Sequence, residues 1–283
     1  MHDSGLLPPG ALQLVIGSTG DLIDRMQESD VITFTGSADT ALKLRGHANV
    51  LRKSIPFNAE ADSLNAAILM PDVSPDHETF GLFAKEVVRE MTTKAGQKCT
   101  AIRRVLVPRS HLDALTQRLR DMLSKVVVGD PSLEGVRMGA LASKDQQRDV
   151  TACVQQLADR GEVIFGERDG FSPRGQGVAE GAFFAPTLLL ARHTGAGAAV
   201  HEVEAFGPVS TLMVYDDVDE AIALAARGRG SLVVSLATED PTLARRVVPE
   251  LAALHGRVHL LNAESAPEST GHGSPLPGLN HGG

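Results

Sequence analysis

The chain carries two cysteines, and Cys99 stands in the stretch "TTKAGQKCTAIRRV", after a Gly-Gln-Lys turn and before a β-branched, basic run. A thiol in such a connection can be a buried filler, half of a disulfide, a metal ligand or a nucleophile. As a thiolate it attacks carbonyl carbon, but a free thiol titrates near ~8.5, so a nucleophile needs a lowered value or a base. Lys98 and Arg103 are close in sequence, which does not show that they point at the sulfur. Upstream by 39 positions lies Glu60, in "SIPFNAEADSLNAAILMPD", between Ala59 and Ala61 and ahead of an apolar run. Desolvation in such surroundings disfavours a carboxylate's charge and suits a general base. The plainer alternative is a cap or loop carboxylate. Two further stretches carry useful groups. "FTGS" at 34–37 ends a strand and opens a helix, the order that turns free backbone N–H groups toward a phosphate. "EAFGPVS" at 204–210 offers Glu204 and Phe206, which in isolation read as a solvated charge and a core side chain. Cys153 falls in a polar helical stretch and reads as structural.

Positioning these groups requires alternating strands and helices, the mark of an α/β fold. "ALQLVIG" reads as a short buried strand, "GDLIDRMQES" as a turn or two of helix, "DVITFTGS" as a strand and "ADTALKLRGHA" as a helix. From His77 to Lys94 the apolar residues Phe80, Phe83, Ala84, Val87, Val88 and Met91 follow helical spacing, and Gly96 supplies a stop. Cys99 therefore lies between that helix and the strand "RRVLVP". "SHLDALTQRLRDMLSKV" reads as a helix with Ser110 and Asp113 in capping-box spacing. A polar helix over 144–160 leads to the strand "EVIFG", and "ERDGFSPRGQGVAEG" reads as a surface loop. "APTLLLA", "VSTLMVY", "GSLVVSLAT" and "GRVHLLNA" are strand-like, with helices at "VDEAIALAARG" and "PTLARRVVPELAAL". The segment from Glu264 on has no periodicity.

Composition limits the chemistry. A net charge of -8, no Trp and one Tyr argue against a nucleic-acid footprint. No apolar run is long enough to span a bilayer, and the start lacks a basic region followed by an apolar core, so neither a membrane span nor a signal peptide is expected. Two cysteines make no disulfide framework, and a reduced, cytoplasmic setting is the expectation. There is no H-E-x-x-H pattern, and His272 and His281 sit in an aperiodic tail as solvated side chains, so no metal is expected.

Taken in order, "FTGS", Glu60, "GQKC" and "EAFGPVS", together with "VVGDPSLEGVRMGALAS" and "GAFFAPTLL", resemble the aldehyde dehydrogenase superfamily along nearly the whole chain. The resemblance implies a three-layer αβα catalytic domain over 60–262, a partial Rossmann-type cofactor domain over 1–59 and a tail over 263–283 that returns toward it. It implies Cys99 as nucleophile, its backbone N–H as an oxyanion donor, and Glu60 as the base that activates water. Phe34, Thr35, Gly36, Ser37, Glu204 and Phe206 would face a nicotinamide cofactor, NADP or NAD. The long interval from Glu60 to Cys99, and "FNAEADSLNAAILMPD" in place of Glu-Leu-Gly-Gly-Lys, resemble the branch that handles CoA-linked semialdehydes in phenylacetate and benzoyl-CoA degradation, where NADP is the acceptor. Family members form homo-oligomers.

Departures from the family pattern go with it. Only 33 residues precede Phe34, and the Pro-Trp-Asn motif that supplies a second oxyanion donor is not present. The expectation is an incomplete polypeptide of low activity alone. Two alternatives remain: a non-catalytic module that pairs with a complementary fragment, and a thiol-dependent hydrolase.

Overall fold

The computed structural model describes residues 5–166 and 171–266. They form two compact units, Met1–Glu60 and Ala61–Gly283.

The first unit is small. α1 (Leu22–Arg25), β1 (Ile32–Gly36), α2 (Ala38–Arg45), α3 (Ala48–Arg52) and β2 (Phe57–Ala61) follow one another, and β1 pairs with β2 in a two-stranded sheet. The Asn49 side chain donates to the carbonyls of Ile23 and Met26 at 2.7 and 3.0 Å, which ties α1 to α3. The expected strand "ALQLVIG" is corrected here: residues 11–17 form no strand, and Leu14 and Ile16 are 84% and 89% exposed. Apolar, β-prone side chains make a strand only where a neighbouring edge accepts their backbone groups, and none does so here.

The second unit is built on a seven-stranded sheet in the order β5-β6-β7-β4-β3-β8-β9. Its strands are β3 (Ala66–Leu69), β4 (Arg104–Pro108), β5 (Gly161–Phe165), β6 (Thr187–Ala191), β7 (Val209–Tyr215), β8 (Ser231–Ala237) and β9 (His255–Leu261). All neighbours run parallel except β5, which is antiparallel to β6. Parallel strands need crossover helices and are covered on both faces, which is why they read as unbroken apolar runs. α4 (Glu78–Thr92) links β3 to β4, α7 (Val218–Ala226) links β7 to β8, and α8 (Pro241–Ala252) links β8 to β9.

Successive strand residues serve opposite faces. Ala67, Leu69, Val105, Val107 and Leu212 pack with Phe80, Phe83, Val87 and Met91 of α4 and with Leu115 and Leu119 of α5 (Leu112–Leu123). Ala66, Ile68, Leu106, Met213 and Val234 pack with Val150 and Leu157 of α6 (Lys144–Ala158), Leu224 of α7 and Val247 of α8. The result is three layers, α on β on α. Each large side chain buried in this way contributes about 1.5–3 kcal/mol.

The capping box expected at Ser110 and Asp113 does not form. Arg109–His111 make a 3-10 turn, α5 starts at Leu112, and its cap position makes no side-chain hydrogen bond. The 171–181 stretch is a loop with one 3-10 turn at Val178–Glu180. Residues 167–170 of the expected loop, and the tail beyond 266, lie outside the described residues.

Candidate active site

α4 ends at Thr92, and the chain then turns through three left-handed residues, Lys94, Ala95 and Gly96, with φ of 54°, 53° and 69°. For a residue with a Cβ this conformation costs about 1–2 kcal/mol, so something must hold it. At Gly96 the reason for glycine is plain: a Cβ there would stand 2.0 Å from the Gly207 carbonyl oxygen. This turn delivers Cys99, which is exposed, to the start of β4.

Two side chains fix the turn from below. Asn65, just ahead of β3, donates to the carbonyls of Cys99 and Ala101 at 2.8 and 2.9 Å. Its own oxygen accepts from Ser63 Oγ at 2.7 Å and from the Val233 N–H at 3.1 Å, so it is locked in turn. Arg103, 4% exposed, donates through Nη2 to the Gly96 carbonyl at 2.9 Å and through Nη1 to the Gly207 carbonyl at 2.8 Å. Nη2 also reaches the Lys98 carbonyl at 3.4 Å. All these groups sit at the N-terminal ends of parallel strands, the end opposite to the usual ligand crevice of open α/β sheets.

Glu204 is not a solvated charge. Its carboxylate is buried, accepting from Arg103 Nε at 3.1 Å and from the Ser63 N–H at 2.9 Å. Burial pushes its carboxyl up, and Arg103 and the Ser63 N–H offset part of that. Nor is Phe206 a core side chain: it is 37% exposed, with its ring 5.4 Å from the Arg103 guanidinium carbon. Lys98 points elsewhere, pairing with the nearly buried Glu90 of α4 at 2.8 Å. Cys153 on α6 donates to the Glu204 carbonyl at 3.7 Å, and burial pushes its thiol up, toward the neutral form.

The first unit places the remaining residues separately. Phe34, Thr35 and Gly36 close β1, and Ser37 caps α2, its hydroxyl accepting from the Thr40 N–H at 3.3 Å. Glu60 lies on β2, half-buried. The second unit thus brings Cys99, Glu204 and Phe206 around Arg103, whereas Glu60 and the 34–37 strand end belong to the first.

Sequence reasoning missed Asn65 and Ser63, and noted Arg103 only as a basic neighbour of Cys99 without a role. A signal for Arg103 existed. Arg103 and Arg104 enter an apolar strand in succession, so they must point to opposite faces, and a buried guanidinium demands partners. Arg104 finds its own in the carbonyls of Leu64, Leu224 and Ala225.

The groove of about 530 Å³ between α6 and the 171–185 stretch is lined by neither Cys99 nor Glu204. Among the described residues no group of His, Cys, Asp and Glu could hold a metal ion, and no helix is long and apolar enough to cross a membrane.

Residues 1–274 match the pattern described as "Aldehyde dehydrogenase family". A 3,4-dehydroadipyl-CoA semialdehyde dehydrogenase from Aromatoleum evansii is 46% identical over 99% of this chain and 55% of its own length. Protein MaoC from Klebsiella aerogenes is 48% identical over 52% of this chain and 42% of its own length. A betaine aldehyde dehydrogenase from Staphylococcus aureus, solved with NAD+, superimposes with a TM-score of 0.71 at 26% identity, covering 82% of this chain and 44% of that one. The chain spans about half the length of the curated relatives it matches.

Proposed function

Since the chain belongs to the aldehyde dehydrogenase family, we propose that it contributes the thiol site for oxidation of an aldehyde to a carboxylic acid. The observation that carries this reading is an exposed Cys99 that follows a left-handed turn at 94–96, with its own carbonyl held by Asn65 and the turn held by Arg103. A nucleophile held this way approaches a carbonyl without first ordering its own backbone.

In this reading the Cys99 sulfur bonds to the carbonyl carbon and the carbonyl oxygen becomes an oxyanion, for which the Cys99 N–H is a donor. The adduct becomes a thioester by losing hydride, for which a bound nicotinamide nucleotide would be the acceptor, and the sulfur keeps the carbon throughout. Glu60 takes a proton from the water that cleaves the thioester, which releases the carboxylic acid and returns the thiol.

The residues present fit a nicotinamide nucleotide. A carboxylate has about four acceptor positions, and Glu204 uses one oxygen on Arg103 and the other on Ser63, leaving capacity for a ribose hydroxyl. Phe206 offers an exposed ring beside it, and Phe34 to Ser37 offer a strand end opening a helix. The nucleotide, when bound, supplies the hydride acceptor. NADP is the form proposed, with NAD as the alternative. Similarity to the Aromatoleum evansii relative supports a CoA-linked semialdehyde from aromatic degradation as substrate. A cytoplasmic homo-oligomer is the setting proposed.

The test is turnover of such a semialdehyde with NADP+ or NAD+, read as reduced nicotinamide. Cys99→Ser should abolish it. Glu60→Gln should give one burst of reduced cofactor and then stall at the thioester. Normal turnover by Cys99→Ser would remove the nucleophile assignment. A second reading, action through pairing with a complementary polypeptide, is favoured by one observation, the exposed apolar side chains of the first unit such as Leu14, Ile16 and Leu42. Turnover that appears only on adding the other half of a family member would support it.

A further inference from the structure

We propose that Arg103 is a positioning residue that couples Glu204 electrostatically to the Cys99 thiol, in addition to holding the turn. This deepens the reading of the thiol site and rests on it. The guanidinium is buried, with Nε on the Glu204 carboxylate at 3.1 Å and Nη2 on the Gly96 and Lys98 carbonyls at 2.9 and 3.4 Å. Lys98 is bonded directly to Cys99, so one side chain spans the carboxylate and the peptide that carries the sulfur. Its face covers Phe206, and Nη1 holds the Gly207 carbonyl. Every donor nitrogen of the guanidinium is therefore committed either to the thiol turn or to the 204–207 segment.

The physical consequence follows from charge. Arg103 and Glu204 form a buried ion pair at 3.1 Å, so the field of each is offset by the other. Removal of one partner leaves the other uncompensated where water screens poorly, and that is costly and felt nearby. An unpaired Glu204 opposes a thiolate, and an unpaired Arg103 favours one. The two removals thus act on the thiol with opposite signs. A staple that merely kept the turn in shape would leave the thiol nearly untouched by Glu204→Gln, because the Arg103 bonds to the Gly96, Lys98 and Gly207 carbonyls do not involve the carboxylate.

The other charged groups around the turn set the baseline and stay constant through such a comparison. From α4 these are Glu90, paired with Lys98, and Glu86, paired with Arg89. Lys94 lies in the turn itself, Asp62 acts on Glu204, and Asp149 acts on the Cys153 thiol.

The experiment is the rate at which iodoacetamide alkylates Cys99 as a function of pH, with the full 283-residue chain, followed on the Cys99 peptide by mass spectrometry so that Cys153 does not contribute. Arg103→Met should move the alkylation midpoint up and slow the reaction by up to about tenfold at neutral pH, the effect of one unit of displacement, and by less as burial, no longer opposed by Arg103, drives Glu204 toward its neutral form. Glu204→Gln should move the midpoint down and speed it. The double variant should fall between them, and Arg103→Lys, which keeps the charge, should stay near the parent. If Arg103→Met does not fold, by far-UV circular dichroism, Glu204→Gln and Arg103→Lys still decide. Shifts of the same sign from the Met and Gln variants, or a Glu204→Gln rate within twofold of the parent, overturn the proposal. No cofactor or aldehyde takes part, so this outcome is independent of whether Cys99→Ser abolishes oxidation.

Discussion

The two compact units place their apolar residues in opposite ways. In Ala61–Gly283, Phe83, Met91, Leu106 and Leu212 are wholly buried, on one or other face of a parallel sheet. In Met1–Glu60, Leu12, Leu14, Ile16, Leu42 and Leu51 are 64–89% exposed, and among the described residues the buried apolar ones are Ala41, Val50 and Ile55. The thiol is thus carried by the unit with a deep two-sided core, where a strained turn can be held against its own cost. The strand end "FTGS" is carried by a unit held mainly through backbone and side-chain hydrogen bonds, such as those of Asn49. Surface burial, rather than hydrogen bonding, separates the two.

The largest expected effect tests that contrast directly. Phe83→Ala should cost about 3–5 kcal/mol, because a fully buried ring leaves a cavity between α4 and the sheet. Leu14→Ala should change stability by less than about 0.5 kcal/mol. Denaturant unfolding of both variants measures this. Comparable losses would mean that Leu14 is buried in solution, and the contrast between the units would fail.

Acid should act next, and on the second unit. His201 and His255 are buried there, and desolvation lowers both to about 4 from 6.5. His201 contacts Arg104 through Nδ1 at 3.3 Å, and His255 Nδ1 lies 2.7 Å from the Leu251 carbonyl. The unfolded chain binds these protons first as pH falls, so stability is full above about pH 6.5 and drops between there and about pH 4. Each site contributes on the order of 3 kcal/mol at most across that window. His255→Gln should flatten the decline in an acid titration of unfolding midpoints. An unchanged slope would mean that His255 is already charged in the folded state.

How much of this was legible depended on whether the signal was local. α4 was readable because Phe80, Phe83, Val87 and Met91 recur at helical spacing, and all of them are buried. The strands of the large sheet were readable as apolar runs of the right length. "ALQLVIG" misled because β-propensity describes a fit to a neighbouring strand, and the sequence does not say whether one is there. Ser110 misled because the 3-10 turn at Arg109–His111 displaces the start of α5 beyond the reach of its hydroxyl. Within the site, Cys99 announced itself by the turn around it. Arg103 did not, because its carboxylate partner lies 101 residues away. Asn65 holds Cys99 from 34 residues upstream, and nothing near either residue marks the pair.

The smallest effect sharpens the comparison most, because one chemical change can be made in both units. Ser37 caps α2 in the first unit and Ser143 caps α6 in the second, each hydroxyl accepting from the N–H three residues on, at 3.3 and 3.0 Å. Replacement of either by alanine removes one cap, worth about 1 kcal/mol. α6 also buries Val150 and Leu157 against the large core, whereas α2 buries only Ala41. Loss of the cap in α2 should therefore appear as faster amide exchange through most of the helix, since little else resists its opening. In α6 the same loss should be confined to the first turn, because side-chain burial holds the remainder. Hydrogen exchange resolved by peptide measures both. Equal spread of faster exchange in the two helices would show that the small unit is as cooperative as the large one, whatever its surface exposes.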